Sequence, residues 1–215
     1  MRFFGSRMPI HPLIKIGRIL LPALLLLLGA AQVPSAQDAP GRVLGGSPNS
    51  PVRIDVFSDF QCAACRELFL NTIKPILREY ASRDKVCVVY HEYPIAGHTY
   101  GLAAARYCEA ASRLGLPRLL AVMESVFLEQ ATWVRTGNLE ASVAKALPPA
   151  EYARLQQIMR DPSVAAEVNR QIQYGLQRKI QATPTLIIRA RGKEERVDGY
   201  IPYPVMKQFL GRFVK

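Results

Sequence analysis

Only four cysteines occur in this sequence, and only Cys62 and Cys65 form a C-x-x-C pair. A four-cysteine zinc site ordinarily needs a second such pair, which is missing. A mixed metal site using His91 or His98 has no recognisable ligand spacing. No segment repeats internally. No apolar run reaches the roughly 20 residues of a membrane-spanning helix. The longest candidate, Ile19 to Leu28, is short and is interrupted by Pro22. Acidic residues are scarce, 17 against 28 basic ones, for a net charge of +11. The basic groups are scattered singly or in short runs such as Arg189 to Arg196. No basic stripe is interleaved with aromatics, so nucleic acid is not an expected partner. Solvated surface charge is the expected role, with weak attraction to anionic membrane surfaces or acidic clients.

What is present is a chain with 49% hydrophobic and 21% charged residues over 215 positions. That suits one globular domain with a real core, or one domain carrying an insertion. Residues 1–31 read as a signal peptide. Arg2, Arg7, Lys15 and Arg18 supply a positive start, Ile19 to Leu28 an apolar centre, and Gly29-Ala30-Ala31 small residues for cleavage. An uncleaved membrane anchor is the alternative. This segment carries four basic groups and no acidic ones, so +11 falls to +7 without it. Export places the cysteines in an oxidising compartment, the periplasm or outside the cell. Residues 32–50, rich in Gln, Ser, Pro and Gly, are predicted to be a linker. Residues 51–215 are predicted to form the domain.

The C-x-x-C pair follows an apolar run, Val52 to Phe57, and precedes an amphipathic helical pattern. In that context the motif does redox chemistry. At a helix start the first backbone N–H groups lack intrahelical partners, and the dipole presents its positive end. Both favour a thiolate at Cys62, so its pKa is expected to be lowered. Cys65, one turn further in, can close a small disulfide ring and is less exposed. The competing readings are an inert structural disulfide and a non-enzymatic module in which the pair holds a metal or a protein.

Alternation over Val52 to Ser58 predicts a strand with unequal faces. Leu68, Phe69, Ile73, Ile76, Leu77 and Tyr80 recur at helical spacing, with a kink expected at Pro75. Val86 to Tyr90 is a second buried strand. Strand, helix and strand in this space make a βαβ unit with parallel pairing. From about 97 to 180 the pattern is almost wholly helical: His98 to Arg113, Pro117 to Gln130, Leu139 to Leu147 behind an Asn138 cap, Pro149 to Met159, and Pro162 to Ile180. These form an inserted helical lobe, with Trp133 packed inside it. Thr185 to Arg189, the Arg191-Gly192 turn and Glu194 to Val197 predict a hairpin. Pro204 to Val214 is a closing amphipathic helix. The fold class is α/β, with an all-helical insertion between the βαβ unit and the C-terminal hairpin plus helix.

This order resembles the thioredoxin superfamily, and more narrowly the DsbA-like thiol–disulfide oxidoreductases of bacterial envelopes. The resemblance rests on Val56 through Cys65, on Glu92-Tyr93-Pro94 with His98 after it, and on Ala182-Thr183-Pro184-Thr185. It covers the chain from about Val43 onward. It implies a thioredoxin-like fold, catalytic Cys62 and Cys65, and a cis Pro184 facing them. It also implies that the Thr183 backbone pairs with an extended client peptide, making Thr183 and Pro184 the substrate-binding residues. Two departures stand out. Ala63-Ala64 occupies the place where strong oxidases of the family often carry Pro and His, so a less oxidising potential is expected. Val56 stands six residues before Cys62, where many relatives have a buried acid for proton transfer. Any relay must use water, Glu92 or another group. Asp55 is expected to be a solvated residue on the opposite strand face. Cys87 and Cys108 could pair in an exported protein, but two buried thiols are the expected outcome. His98 is expected near the cysteines, although a capping or packing role is the commoner outcome for it and for His91.

The expected function is thiol–disulfide exchange between the Cys62–Cys65 disulfide and thiols of reduced or unfolded client proteins. No metal or organic cofactor is implied. The resemblance suggests reoxidation by a quinone-linked membrane partner. A reductase or isomerase of the same fold is the alternative. Isomerases of the superfamily usually carry a dimerisation domain, and the stretch before Val52 leaves no room for one.

Overall fold

The computed structural model describes residues 40–214. The predicted signal peptide, residues 1–31, and the start of the predicted linker lie outside the described residues. A five-stranded mixed sheet organises the rest, in the order β1-β3-β2-β4-β5. Its strands are β1 (Arg42–Gly45), β2 (Val52–Ser58), β3 (Val86–Glu92), β4 (Thr185–Ala190) and β5 (Lys193–Asp198). β2 and β3 run parallel, with Val52 opposite Val86 and Ser58 opposite Glu92. β4 joins β2 antiparallel, and β5 pairs with β4 as a hairpin. The hairpin turn places Arg191 at φ 50° and Gly192 at φ 72°. Two central residues at positive φ suit the right-handed twist of paired strands. β3 is buried at every position, as a central strand covered on both faces should be.

The predicted linker over 32–50 needs correction. Arg42–Gly45 is a strand at the sheet edge, antiparallel to β3. Four residues among glycines and serines give little local signal. Their conformation is fixed by pairing with a strand more than forty residues away.

The crossover from β2 to β3 begins with α1 (Ala63–Leu68) and ends with α2 (Lys74–Glu79). Between them Phe69–Ile73 widens into a π-helical turn. Pro75, at the start of α2, lacks the N–H that would bond one turn back, and its ring crowds that carbonyl. The widened turn takes up this mismatch, so the predicted kink lies just ahead of the proline.

Between β3 and β4 stand α3 (Gly101–Ser112), α4 (Leu116–Leu128), α5 (Gln130–Thr136), α6 (Leu139–Lys145), α7 (Pro149–Met159) and α8 (Pro162–Gln177). The Asn138 side chain accepts a hydrogen bond from the Ala141 N–H, the expected cap of α6. α5 was not anticipated. The helical pattern ending at Gln130 breaks at Glu129, and a new helix starts there. Trp133, fully buried, donates its indole N–H to the Val126 carbonyl at 2.7 Å and ties α5 back onto α4. α9 (Tyr203–Leu210) closes the chain's described part.

The main core gathers Ile54, Val56, Val88, Leu186 and Ile188 from one sheet face with Phe60, Cys65, Ile76, Phe127, Met206 and Leu210. A smaller cluster, Phe57, Tyr93, Tyr174, Ile180 and Ile187, fills the opposite face under α8. Gly175 permits that packing. A Cβ there would lie 2.3 Å from the Tyr93 ring, whose hydroxyl donates to the Ile180 carbonyl.

Asp55 also needs correction. It lies on the face opposite Val56, as period-two alternation requires, but it is fully buried. Arg53 donates to it through Nε and Nη2, both at 2.9 Å, and Arg189 from β4 donates as well. His91 Nε2 lies 2.8 Å away and donates, which leaves Nδ1 without a proton. Burial tends to raise the Asp55 pKa, but the bonds from His91 and Arg53 outweigh it and hold the carboxylate well below its ordinary range. Burial keeps His91 neutral, stacked 4.5 Å from Phe57.

Candidate active site

Cys62 occupies the N-cap of α1, in an extended conformation at φ −79° and ψ 121°. Its carbonyl accepts the Cys65 and Arg66 N–H groups, each at 3.1 Å, which starts the helix. Its own N–H is held by the Asp59 carbonyl at 3.1 Å. The Cys62 side chain is half-buried and reaches the Thr183 carbonyl, 3.3 Å from Sγ. The Thr183–Pro184 peptide bond is cis. Thus the loop before β4, more than a hundred residues away in sequence, stands beside the first sulfur.

Cys65 is inaccessible to solvent. The Asp59 N–H approaches its Sγ at 3.4 Å. The two sulfurs therefore differ in kind. A hydrogen bond from the Cys65 thiol is the largest influence favouring the Cys62 thiolate. Backbone N–H groups of Cys65 and Ala64 add to it, and together they overcome burial to bring the pKa down to about 6. Burial, with the neighbouring Cys62 charge, pushes the Cys65 pKa well up. One negative charge is stable in this pair, and it sits on Cys62.

The turn carrying the pair is held from several sides. The buried Asp59 carboxylate accepts the Gln61 N–H at 2.8 Å, the Ile95 N–H at 2.9 Å and His98 Nδ1 at 2.7 Å. Gln61 Oε1 accepts the Tyr100 N–H ahead of α3. Gln130, opening α5, donates through Nε2 to the Phe60 carbonyl at 2.6 Å and the Cys62 carbonyl at 3.0 Å. The helical insertion thereby clamps the active-site turn. His98 stands one residue from the pair through Asp59, and His91 belongs to the far face. Gln130 and the clamp role of Asp59 had no signal in the sequence, because each depends on contacts across 36 residues or more.

Cys87 and Cys108 are both buried and unbridged. Cys87 lies on β3 opposite Arg53, while Cys108 lies on α3 in the main core. Among the described residues no three His, Cys, Asp or Glu side chains converge as a metal-binding group. None of the described helices is long and apolar enough to cross a membrane.

A thioredoxin-type sheet with a helical insertion, carrying a C-x-x-C pair at the head of its crossover helix, is the DsbA-like form of the thioredoxin fold. The family model described as Thioredoxin matches residues 38–208, and the chain belongs to that family. The chain is 21% identical over 147 residues to the probable disulfide bond formation protein D of Bacillus cereus, covering 66% of this chain and 68% of that one. Two solved structures share the fold. A thioredoxin-like oxidoreductase from Silicibacter pomeroyi superposes with a TM-score of 0.65 at 22% identity, over 82% of this chain and 93% of that one. Oxidised BdbD from Bacillus subtilis gives 0.63 at 18% identity, over 81% and 96%.

Proposed function

We propose that the protein is exported by residues 1–31 and forms disulfide bonds in client proteins, with Cys62 as the exchanging sulfur. The asymmetry of the pair carries this reading: a reachable Cys62 that favours the thiolate, and a sealed Cys65 that favours the thiol. A client thiolate attacks Cys62 Sγ of the Cys62–Cys65 disulfide. A client–Cys62 bond forms, and Cys65 leaves with the electron pair and takes up one of the two protons that the client thiols give up. A second client thiolate attacks the client sulfur of that mixed disulfide and expels Cys62. The client gains a disulfide and the protein keeps two electrons in the Cys62 thiolate and Cys65 thiol. A stable Cys62 thiolate is a good leaving group, which favours this direction.

The Thr183 carbonyl beside Cys62 is the proposed backbone partner of an extended client, with Pro184 forming the adjoining wall. The name of the Bacillus cereus relative, a probable disulfide bond formation protein, supports the same direction. The proposed electron acceptor that restores the disulfide is a quinone-linked membrane protein. Equilibration with glutathione tests the direction. A potential between about −120 and about −200 mV fits a disulfide donor, and one near the roughly −270 mV of thioredoxin assigns the protein to reduction instead.

A further inference from the structure

We propose that Gln130 is a positioning residue of the exchange reaction, whose buried side-chain amide aims the main chain around Cys62 so that its sulfur stays reactive. The proposal rests on the exchange reading above. Gln130 is the first residue of α5 and is 5% exposed. Its Nε2 donates to the Phe60 carbonyl at 2.6 Å and to the Cys62 carbonyl at 3.0 Å, which uses both of its protons. Two carbonyl acceptors also decide which end of the amide faces the turn. Phe60 is inaccessible to solvent, and its carbonyl is paired with Gln130. An apolar side chain at position 130 would leave that carbonyl unpaired in the core, which is costly.

The two carbonyls lie on either side of Gln61, so one amide sets the tilt of two peptide planes in the turn. The second plane joins Cys62 to Ala63, and the N–H groups of the first turn of α1 follow from it. The Cys62 carbonyl also accepts the Cys65 and Arg66 N–H groups, the bonds that start the helix. The largest influences favouring the Cys62 thiolate are neutral donors, whose direction matters: the Cys65 thiol and the backbone N–H groups of Cys65 and Ala64. The dipeptide between the cysteines does not fix their aim. Ala63 and Ala64 have neither the locked φ of proline nor a charge. The aim is set from outside the motif, by α5.

The support behind Gln130 is rigid. Trp133, one turn along α5, is fully buried and bonded to the Val126 carbonyl of α4. The Tyr100 ring stands edge-on to the Trp133 ring, with 6.5 Å between centroids. The Tyr100 N–H donates to Gln61 Oε1 at 2.8 Å. Gln61 is thus held by the head of α3 while Gln130 holds the carbonyls on both sides of it. During exchange the Cys62 sulfur breaks its bond to Cys65 and makes one to the client. A main chain pinned at both carbonyls keeps the helix N–H groups aimed at that sulfur throughout, so it leaves readily as a thiolate. The Gln130 amide itself gains and loses neither proton nor electron.

The test compares full-length wild type with Gln130→Met, which removes the donors at nearly constant size and adds no charge. Reduced Cys62 is alkylated across pH, and the equilibrium of the pair with glutathione is measured at several pH values. The alkylation midpoint should move up from about 6 by about one pH unit. At neutral pH the glutathione equilibrium should shift about fivefold toward the disulfide form, because the reduced protein loses thiolate stabilisation. The difference should fade below about pH 5, where Cys62 is protonated in both proteins. A loss of folding stability with an unchanged midpoint and an unchanged equilibrium makes Gln130 a structural residue only and overturns the proposal. So does an equilibrium shift of the same size at every pH. If Gln130→Met does not fold, the wild type decides. The Gln130 side-chain amide protons should exchange slowly with solvent, and their NMR shifts should differ between oxidised and reduced protein. Rapid exchange, or shifts indifferent to redox state, overturns the proposal. Absence of any exchange with glutathione by wild type would instead strike the function reading.

Discussion

Cys62→Ser is expected to abolish thiol–disulfide exchange, whereas Cys65→Ser should keep a reactive Cys62 that traps clients. The two outcomes follow from where each sulfur sits. Cys62 alone is reachable, at the N-cap of α1 beside the Thr183 carbonyl. Its removal leaves Cys65 as the one sulfur of the pair, which solvent does not touch and whose thiol form is favoured by burial. In Cys65→Ser the serine hydroxyl can still donate a hydrogen bond toward Cys62, so the thiolate remains favoured. That thiolate attacks a client disulfide and forms a mixed disulfide. No second sulfur is then in place to resolve it. Non-reducing electrophoresis after incubation with a disulfide-bonded client should show a long-lived adduct for Cys65→Ser and none for Cys62→Ser. Cys87→Ala, whose thiol lies away from the pair, serves as the control and should exchange at the wild-type rate. An adduct formed by Cys62→Ser would reverse the assignment of the two sulfurs.

Asp55→Asn should cost about 3 kcal/mol of folding stability, because it leaves the buried guanidinium and imidazole donors without their anion. Arg53 and Arg189 are each partly open to solvent, which keeps the cost toward the lower end of such substitutions. The pH dependence follows from the direction of the shift. The folded-state pKa of Asp55 lies below its unfolded value of 3.8. Its contribution is therefore complete above that value and is lost as pH falls through the folded pKa. His91 works in the same direction. Its folded pKa lies below 6.5, so the stability of its neutral form is present above that value and disappears as acid forces protonation. Urea midpoints at neutral pH should separate wild type from Asp55→Asn, and the gap should close at the acid end. Equal midpoints at neutral pH would mean that the cluster contributes nothing net.

The elements that carry the redox pair were legible because their signals are local. Alternation marked β2, the apolar run marked β3, and Arg191-Gly192 marked the hairpin turn. Asn138 and the prolines marked helix starts in the insertion. What the sequence concealed depends on distant partners. β1 has four residues, and its ladder with β3 decides its conformation. α5 is too short for periodicity to separate it from α4. The facing of Asp55 followed from strand alternation, but its burial did not. That face is closed by α8 and by Arg189 from β4, which no local pattern reports. Similarly, Cys62 and Cys65 stand out as a motif, while Gln130 clamps them from α5 without any spacing that would mark it. The departures at Ala63-Ala64 acquire a physical reading too. With neither ring nor charge between the cysteines, the Cys62 thiolate is stabilised by Cys65 and by backbone N–H groups.

The most direct test of this account is the pH dependence of Cys62 alkylation in the reduced protein, followed by mass mapping of the modified cysteine. The account predicts a single modified site, Cys62, with a rate that rises through a midpoint near 6. A midpoint near the roughly 8.5 of an unperturbed thiol, or equal labelling of Cys62 and Cys65, would contradict it.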